Sequence, residues 1–231
     1  MIFNIPMGGK AKAVVSVYGA ANEDVTLTDA KGNAFSATTD ANGYGGTLEI
    51  PAGVYTIKGG YTEYSKSVTV TKTTSAVYAM PDGTIVYWYG YMPFTPVASK
   101  YSPDTAGTTN RKEPTIEPGE RSIYIKQPST SGTYCGSALF NDIETDGGVL
   151  TLKSSGKLNT NSSPPRVILS YASDISSNTF TPAGTVQVGY GVEENTLEAA
   201  SAGTYDVAIS VVNNGLNYHG HCYVYAVYFA K

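Results

Sequence analysis

Two histidines, His219 and His221, flank a single glycine. In an extended segment residues i and i+2 share a face, so both imidazoles could point at one axis. Three such chains around a threefold would offer six nitrogens to an octahedral transition metal. The pair also lies just ahead of a long apolar run, where the alternative is a pair of turn histidines; no metal and no cofactor are assigned. The clustered acids are Glu193-Glu194 and the set Asp142, Glu144 and Asp146. A glycosidase needs two carboxyls facing each other across a cleft, whereas these read as solvated loop charges. Asp142-Ile-Glu-Thr-Asp146 lacks the spacing of a calcium-binding EF-hand loop. No Gly-x-Ser-x-Gly elbow, glycine-rich phosphate loop or zinc spacing occurs. With no catalytic residues assigned, a non-enzymatic protein is expected. Cys135 and Cys222 are too few for a disulfide framework. One bridge between them is conceivable, and two buried thiols are the favoured reading.

The aromatic run Ile85-Val-Tyr-Trp-Tyr-Gly-Tyr91 is the best binding candidate. Sugar rings present apolar C–H faces that stack on Trp and Tyr, while nearby Thr, Asn and Asp can read hydroxyls. Tyr87, Trp88, Tyr89 and Tyr91 are therefore candidate glycan-binding residues, with Phe94 beside them. The competing reading packs Tyr87, Tyr89 and Tyr91 against a domain and places Trp88 in a core.

The elements that would position these residues are strands. The 231 residues contain 25 glycines, 12 prolines and 19 tyrosines, a composition of many short, punctuated elements rich in β-formers. A hydrophobic fraction of 41% can build a core, so wholesale disorder is excluded. Fifteen Lys+Arg against nineteen Asp+Glu leave a net charge of −4, with no electrostatic footprint for nucleic acid or an anionic membrane. No run approaches the roughly 18 apolar residues needed to span a bilayer. Met1–Lys10 has neither a basic n-region nor an apolar stretch of signal-peptide length, so synthesis in the cytoplasm is expected.

Residues 11–80 predict seven short strands broken by Asp29-Ala-Lys-Gly32, Asp40-Ala-Asn-Gly43 and Pro51-Ala-Gly53, the pattern of an immunoglobulin-like β-sandwich. Residues 81–118 hold the aromatic strand and then a Pro- and Thr-rich stretch, expected as a linker or functional surface loop. From 119 to 231 strands resume between Gly, Ser, Asn and Pro clusters, predicting a second, jelly-roll-like β-sandwich. Residues 1–10 would form a short docking segment. The chain is thus expected to be all-β.

Val25-Thr-Leu-Thr-Asp-Ala-Lys-Gly32, Thr39-Asp-Ala-Asn-Gly43 and Leu48-Glu-Ile-Pro-Ala-Gly-Val-Tyr-Thr-Ile57 resemble the carboxypeptidase-regulatory-like and PEGA-type immunoglobulin-like modules. That resemblance implies a fold and a spacer or display role. At whole-chain level, four features together resemble virion proteins of tailed bacteriophages infecting Gram-positive gut-type bacteria. They are the opening Met1-Ile-Phe-Asn-Ile-Pro-Met-Gly-Gly9, one such module, the Tyr87-Trp-Tyr-Gly90 step and a terminal β-rich module. The resemblance implies assembly in the host cytoplasm, a place on the particle, and other virion proteins as partners. Attachment to host surface glycans by a tail or baseplate protein and capsid decoration are both open under it. A secreted bacterial adhesin or a polysaccharide-active enzyme is the alternative from another class.

The last strand, Cys222 to Phe229, is apolar on both alternating faces. With Cys222, Val224, Ala226 and Tyr228 on one side, the other carries Tyr223, Tyr225, Val227 and Phe229. A central buried strand or a subunit interface would satisfy it. Tyr223, Tyr225 and Phe229 are the candidate interface residues of a homo-oligomer, a trimer by analogy with phage fibres.

Overall fold

Along the first strand Ala13, Val15 and Val17 are buried while Lys12 and Val14 between them face solvent, the period-2 pattern of a half-buried sheet. The computed structural model describes residues 11–103, 110–127, 133–157, 166–175, 184–188, 193–214 and 221–231. All regular elements among them are strands. The chain divides into two compact units, Met1–Met80 and Pro81–Lys231.

The first unit contains β1 (Lys12–Tyr18), β2 (Asp24–Asp29), β3 (Ala34–Thr38), β4 (Tyr44–Pro51), β5 (Gly53–Gly59), β6 (Ser65–Val70) and β7 (Ala76–Tyr78). They form two sheets, ordered β4-β1-β7 and β3-β2-β5-β6, with β7 parallel to β1 and the other pairs antiparallel. Val15, Val17, Val25, Leu27, Ile50 and Ile57 fill the space between them. The expected turns form by Asx chemistry. Asp29 Oδ1 accepts the N–H groups of Lys31 and Asn33, and Asp40 Oδ1 those of Asn42 and Tyr44. The Tyr44 and Asn42 amides hold the Asp40 carboxyl below its ordinary range. One buried carboxylate braces the end of this sandwich. Glu23 accepts from the Ala20 and Thr62 amides and the Thr62 hydroxyl, tying two loops together.

The second unit opens with β8 (Gly83–Trp88), β9 (Val97–Ser99), β10 (Asn110–Arg111) and β11 (Thr115–Pro118). Eight further strands follow: β12 (Ile123–Lys126), β13 (Thr133–Thr145), β14 (Gly148–Lys157), β15 (Arg166–Ala172), β16 (Gly184–Val188), β17 (Glu193–Ala200), β18 (Gly203–Asn214) and β19 (His221–Ala230). One sheet runs β12-β19-β14-β17 and the other β13-β18-β15-β16, antiparallel throughout. Counted one to eight from β12, those orders are 1-8-3-6 and 2-7-4-5, the double Greek key of a jelly roll. The expected all-β architecture of an immunoglobulin-like sandwich followed by a jelly roll is therefore present.

The aromatic strand is present as β8, and the described residues between it and Gly119 pair with the jelly roll where a linker or surface loop was expected. β8 hydrogen-bonds to β19 beyond the end of β12, β9 and β10 pair with β13, and β11 pairs with β12. Val86 and Tyr87 enter the jelly-roll core, and Met92, Phe94 and Ile116 pack against it. Tyr101 lies on the outer face of the β13-containing sheet beside Leu139, Ala172 and Ala208. Its carbonyl accepts from Ser137 Oγ at 2.8 Å. Prolines spaced along an extended segment suit an edge strap as well as a linker, and composition alone does not separate the two.

Simple alternation also fails along β19. The register runs Lys153↔Ala226 and then Ser154↔Val224, leaving Tyr225 as an extra, bulged residue. The bulge shifts the phase, so Cys222, Val224, Val227 and Phe229 all face the core. Phe229, expected at a subunit interface, is 0% exposed within its own chain and packs against Tyr171 and Tyr205. The outward face carries Tyr223, Tyr225 and Tyr228 instead.

Candidate functional site

Three strands and the turn after β8 bring one continuous band of aromatic and polar side chains to the outer face of the β12-β19-β14-β17 sheet. On β12, Ile123 and Ile125 point inward, so Tyr124 between them points out. It lies opposite Tyr223 of β19, and the two rings are 4.8 Å apart. His221 also stacks with Tyr124 at 5.3 Å, and Tyr124 Oη and His221 Nδ1 are 2.7 Å apart in a hydrogen bond. Burial pushes the Tyr124 phenol above its ordinary value, with Tyr223 and Glu117 adding to the shift.

The band continues along β19. The bulged Tyr225 turns outward, with its hydroxyl 3.1 Å from Ser155 Oγ on β14. Its ring lies 6.0 Å from that of Tyr89. Tyr89 sits at the tip of a two-residue hairpin turn closed by reciprocal backbone bonds between Trp88 and Tyr91 of 2.9 and 2.8 Å. Tyr89 and Gly90 there have φ of +40° and +95°, as a type I′ turn requires. Glycine adopts this backbone freely, whereas tyrosine is strained in it. The Tyr89 amide donates to the Tyr225 carbonyl at 2.7 Å, pinning the strained residue against the bulge. Lys153 of β14, flanked by inward-facing Leu152 and Ser154, holds its Nζ 5.6 Å from the centre of the Tyr89 ring.

The residues read from the sequence separate into two groups. Tyr87 is a core residue, 1% exposed, whose phenol is pushed up to about 12 by burial. It opposes Val227 inside the sandwich, and its hydroxyl accepts from the Gly90 amide, so it is no part of a ligand surface. Trp88 opposes Ala226 on the outer side and makes edge contacts with Tyr89 and Tyr228. At 5% exposure Trp88 supports the band from below and offers little face to a ligand. Tyr89 and Tyr91 remain half-exposed. Of the pair with candidate metal-ligand spacing, His221 is engaged by Tyr124 and His219 lies outside the described residues.

Sequence reading missed Tyr124, Lys153 and Ser155. The signal for the first two was available, since each stands between inward-facing residues in an Ile-Tyr-Ile or Leu-Lys-Ser alternation. Ser155 and Tyr225 become neighbours only through the bulge.

Other polar groups are occupied within the fold. The two cysteines are free and buried on different sheets, Cys135 on the outer face of one and Cys222 on the inner face of the other, so they do not pair. Asp146 pairs with Lys231 at 2.7 Å. Asp142, at φ +55° in a bulge of β13, donates its amide to Asp206. Glu194 is exposed on β17, and of Glu193 only the backbone is described. No cluster of three metal-ligating side chains occurs among the described residues. In the first unit a hollow of about 330 Å³ beside Tyr55 is lined by Asp29, but that carboxylate already serves its own turn, accepting also from Asn33 Nδ2.

No family model and no curated protein matches the chain. Among solved structures, one described as the basis for promiscuous specificity of carbohydrate-binding modules of the β-sandwich superfamily aligns at 14% identity and a TM-score of 0.36. The alignment covers 96% of this chain and 99% of that one. The fold assignment above rests on the strand order and not on this likeness.

Proposed function

We propose that the protein is a non-enzymatic, glycan-binding surface protein whose jelly roll takes sugar on the aromatic band of its outer sheet. The observation that carries this reading is the band itself. Tyr124, Tyr223, Tyr225 and Tyr89 lie along one sheet face, half-exposed, and Ser155, Lys153 and His221 are interleaved with them. Half-exposed rings supply apolar faces to sugar C–H groups, and the polar neighbours exchange hydrogen bonds with hydroxyls. Among the described residues of this face Glu117 on β11 and Glu194 on β17 stand on opposite edge strands and do not converge, which suits binding without turnover. The sequence resemblance to tailed-phage virion proteins supplies the setting: display on the particle, with the first sandwich as spacer or docking module and host surface glycans as the target.

The test is titration of the full chain with a panel of oligosaccharides, comparing wild type with Tyr225→Ala. Loss of the ring should weaken binding by about 1 kcal/mol, roughly fivefold. Unchanged affinity in Tyr225→Ala, or no glycan bound by wild type, rejects the band as the site. Immunogold labelling of purified virions tests the setting separately.

A further inference from the structure

We infer, resting on the glycan-binding reading above, that the ligand carries an acidic group, a carboxylate or a phosphate on the sugar, and that Lys153 is the residue that reads it. Lys153 stands on the outer face of β14, opposite Ala226 on one side and Glu194 on the other. The cross-strand register offers Glu194 as an ion-pair partner. Yet among the described residues no carboxylate lies within 4.0 Å of the Lys153 ammonium, which sits over the Tyr89 ring instead. A cation held on a ring face keeps its outward N–H donors for a ligand lying on the same band.

The placement is specific in another respect. The Tyr89 backbone is set at positive φ in the Tyr89-Gly90 turn, and its amide is bonded to the Tyr225 carbonyl. The turn thus fixes the seat of the ammonium, and a sugar stacked on Tyr89 or Tyr225 would bring a ring substituent within reach of Nζ. At the Tyr124 end of the band Glu117 on β11 and Lys126 on β12 share the outer face with opposite charges, whereas Lys153 is the cation at the Tyr89 end.

The experiment titrates the full chain with three oligosaccharides of equal length: a neutral hexose tetramer, a hexuronate tetramer and a phosphorylated hexose tetramer. Wild type is expected to bind one of the acidic ligands about two- to fivefold tighter than the neutral one at low ionic strength. That preference should disappear in Lys153→Met, which keeps the apolar stem, and in 1 M salt, where the screening length falls to about 3 Å. The two acidic ligands distinguish carboxylate from phosphate. Equal affinity for all three ligands in wild type, or an acidic preference that survives in Lys153→Met, overturns the charge assignment while leaving glycan binding intact. Absence of binding to any of the three overturns both readings together.

Discussion

At the scale of single residues, the two faces of β19 divide the tyrosines and cysteines by fate. Cys222 lies fully inside, and burial pushes its thiol up to about 12 from an ordinary value near 9. Tyr87 is pushed from 10 to about 12 by the same cause. For both groups the folded chain holds its proton more tightly than the unfolded chain does. Their contribution to stability is thus fully present below the unfolded values and is lost as pH rises toward 12. Each group steepens the loss by about 1.4 kcal/mol per pH unit over its window, Cys222 from about pH 9 and Tyr87 from about pH 10. Urea midpoints measured from pH 7 to 11 should fall in that order. Cys222→Ala should reduce the slope between pH 9 and 10 while lowering stability overall, and an unchanged slope there would refute the attribution. Much of this burial is legible in the sequence. Phe229 was misplaced because period 2 was carried straight through the bulge at Tyr225, and an inserted residue reverses every side chain beyond it.

At the scale of elements, the Trp88–Tyr91 hairpin shows a conflict between local propensity and the band. Asn-Gly is the favoured pair for a type I′ turn, yet the chain places Tyr-Gly there. Tyr89 at φ +40° costs on the order of 1 kcal/mol, and the ring's position beside Tyr225 and under Lys153 is what that strain obtains. Tyr89→Asn should therefore leave the melting temperature unchanged or raise it slightly, while weakening glycan binding several-fold. A large fall in stability with binding intact would make the turn a purely structural device. The seven strands of the first unit and β12, β14, β15, β16, β18 and β19 of the second were readable because Gly- and Asp-rich turns bracket alternating runs. The jelly-roll order itself follows from which strands pair across the sheet. No local pattern encodes that, because it is decided by contacts between distant segments such as β12 with β19.

At the scale of the whole molecule, the unit boundary determines what can be cut away. Composition placed a linker between the aromatic strand and Gly119, since prolines and threonines dominate there. That stretch instead supplies a strap over the outer face of the other sheet and the partner of β12, while the aromatic strand before it is an added strand on β19. A fragment beginning at residue 119 would lose Val86, Tyr87, Met92, Phe94 and Ile116 from the core. It would also strip the hydrogen bonds of β8 from the lower half of β19, exposing an apolar strand edge of the kind that aggregates. Removal of two fully buried side chains alone costs several kcal/mol, a large share of the stability of a domain of this size. The 81–231 fragment should therefore fold cooperatively and bind glycan as the full chain does, whereas 119–231 should be unfolded or aggregated by circular dichroism and light scattering. The same light-scattering run addresses assembly. With Phe229 and Val227 already buried in their own chain, the part of β19 left for a contact between copies is Tyr223, Tyr225 and their neighbours on the band. An oligomer built through β19 would therefore cover the glycan surface. If 81–231 is a trimer that Tyr225→Ala dissociates, the band is an interface between copies; a monomer that binds sugar through the same tyrosine assigns the face to the ligand.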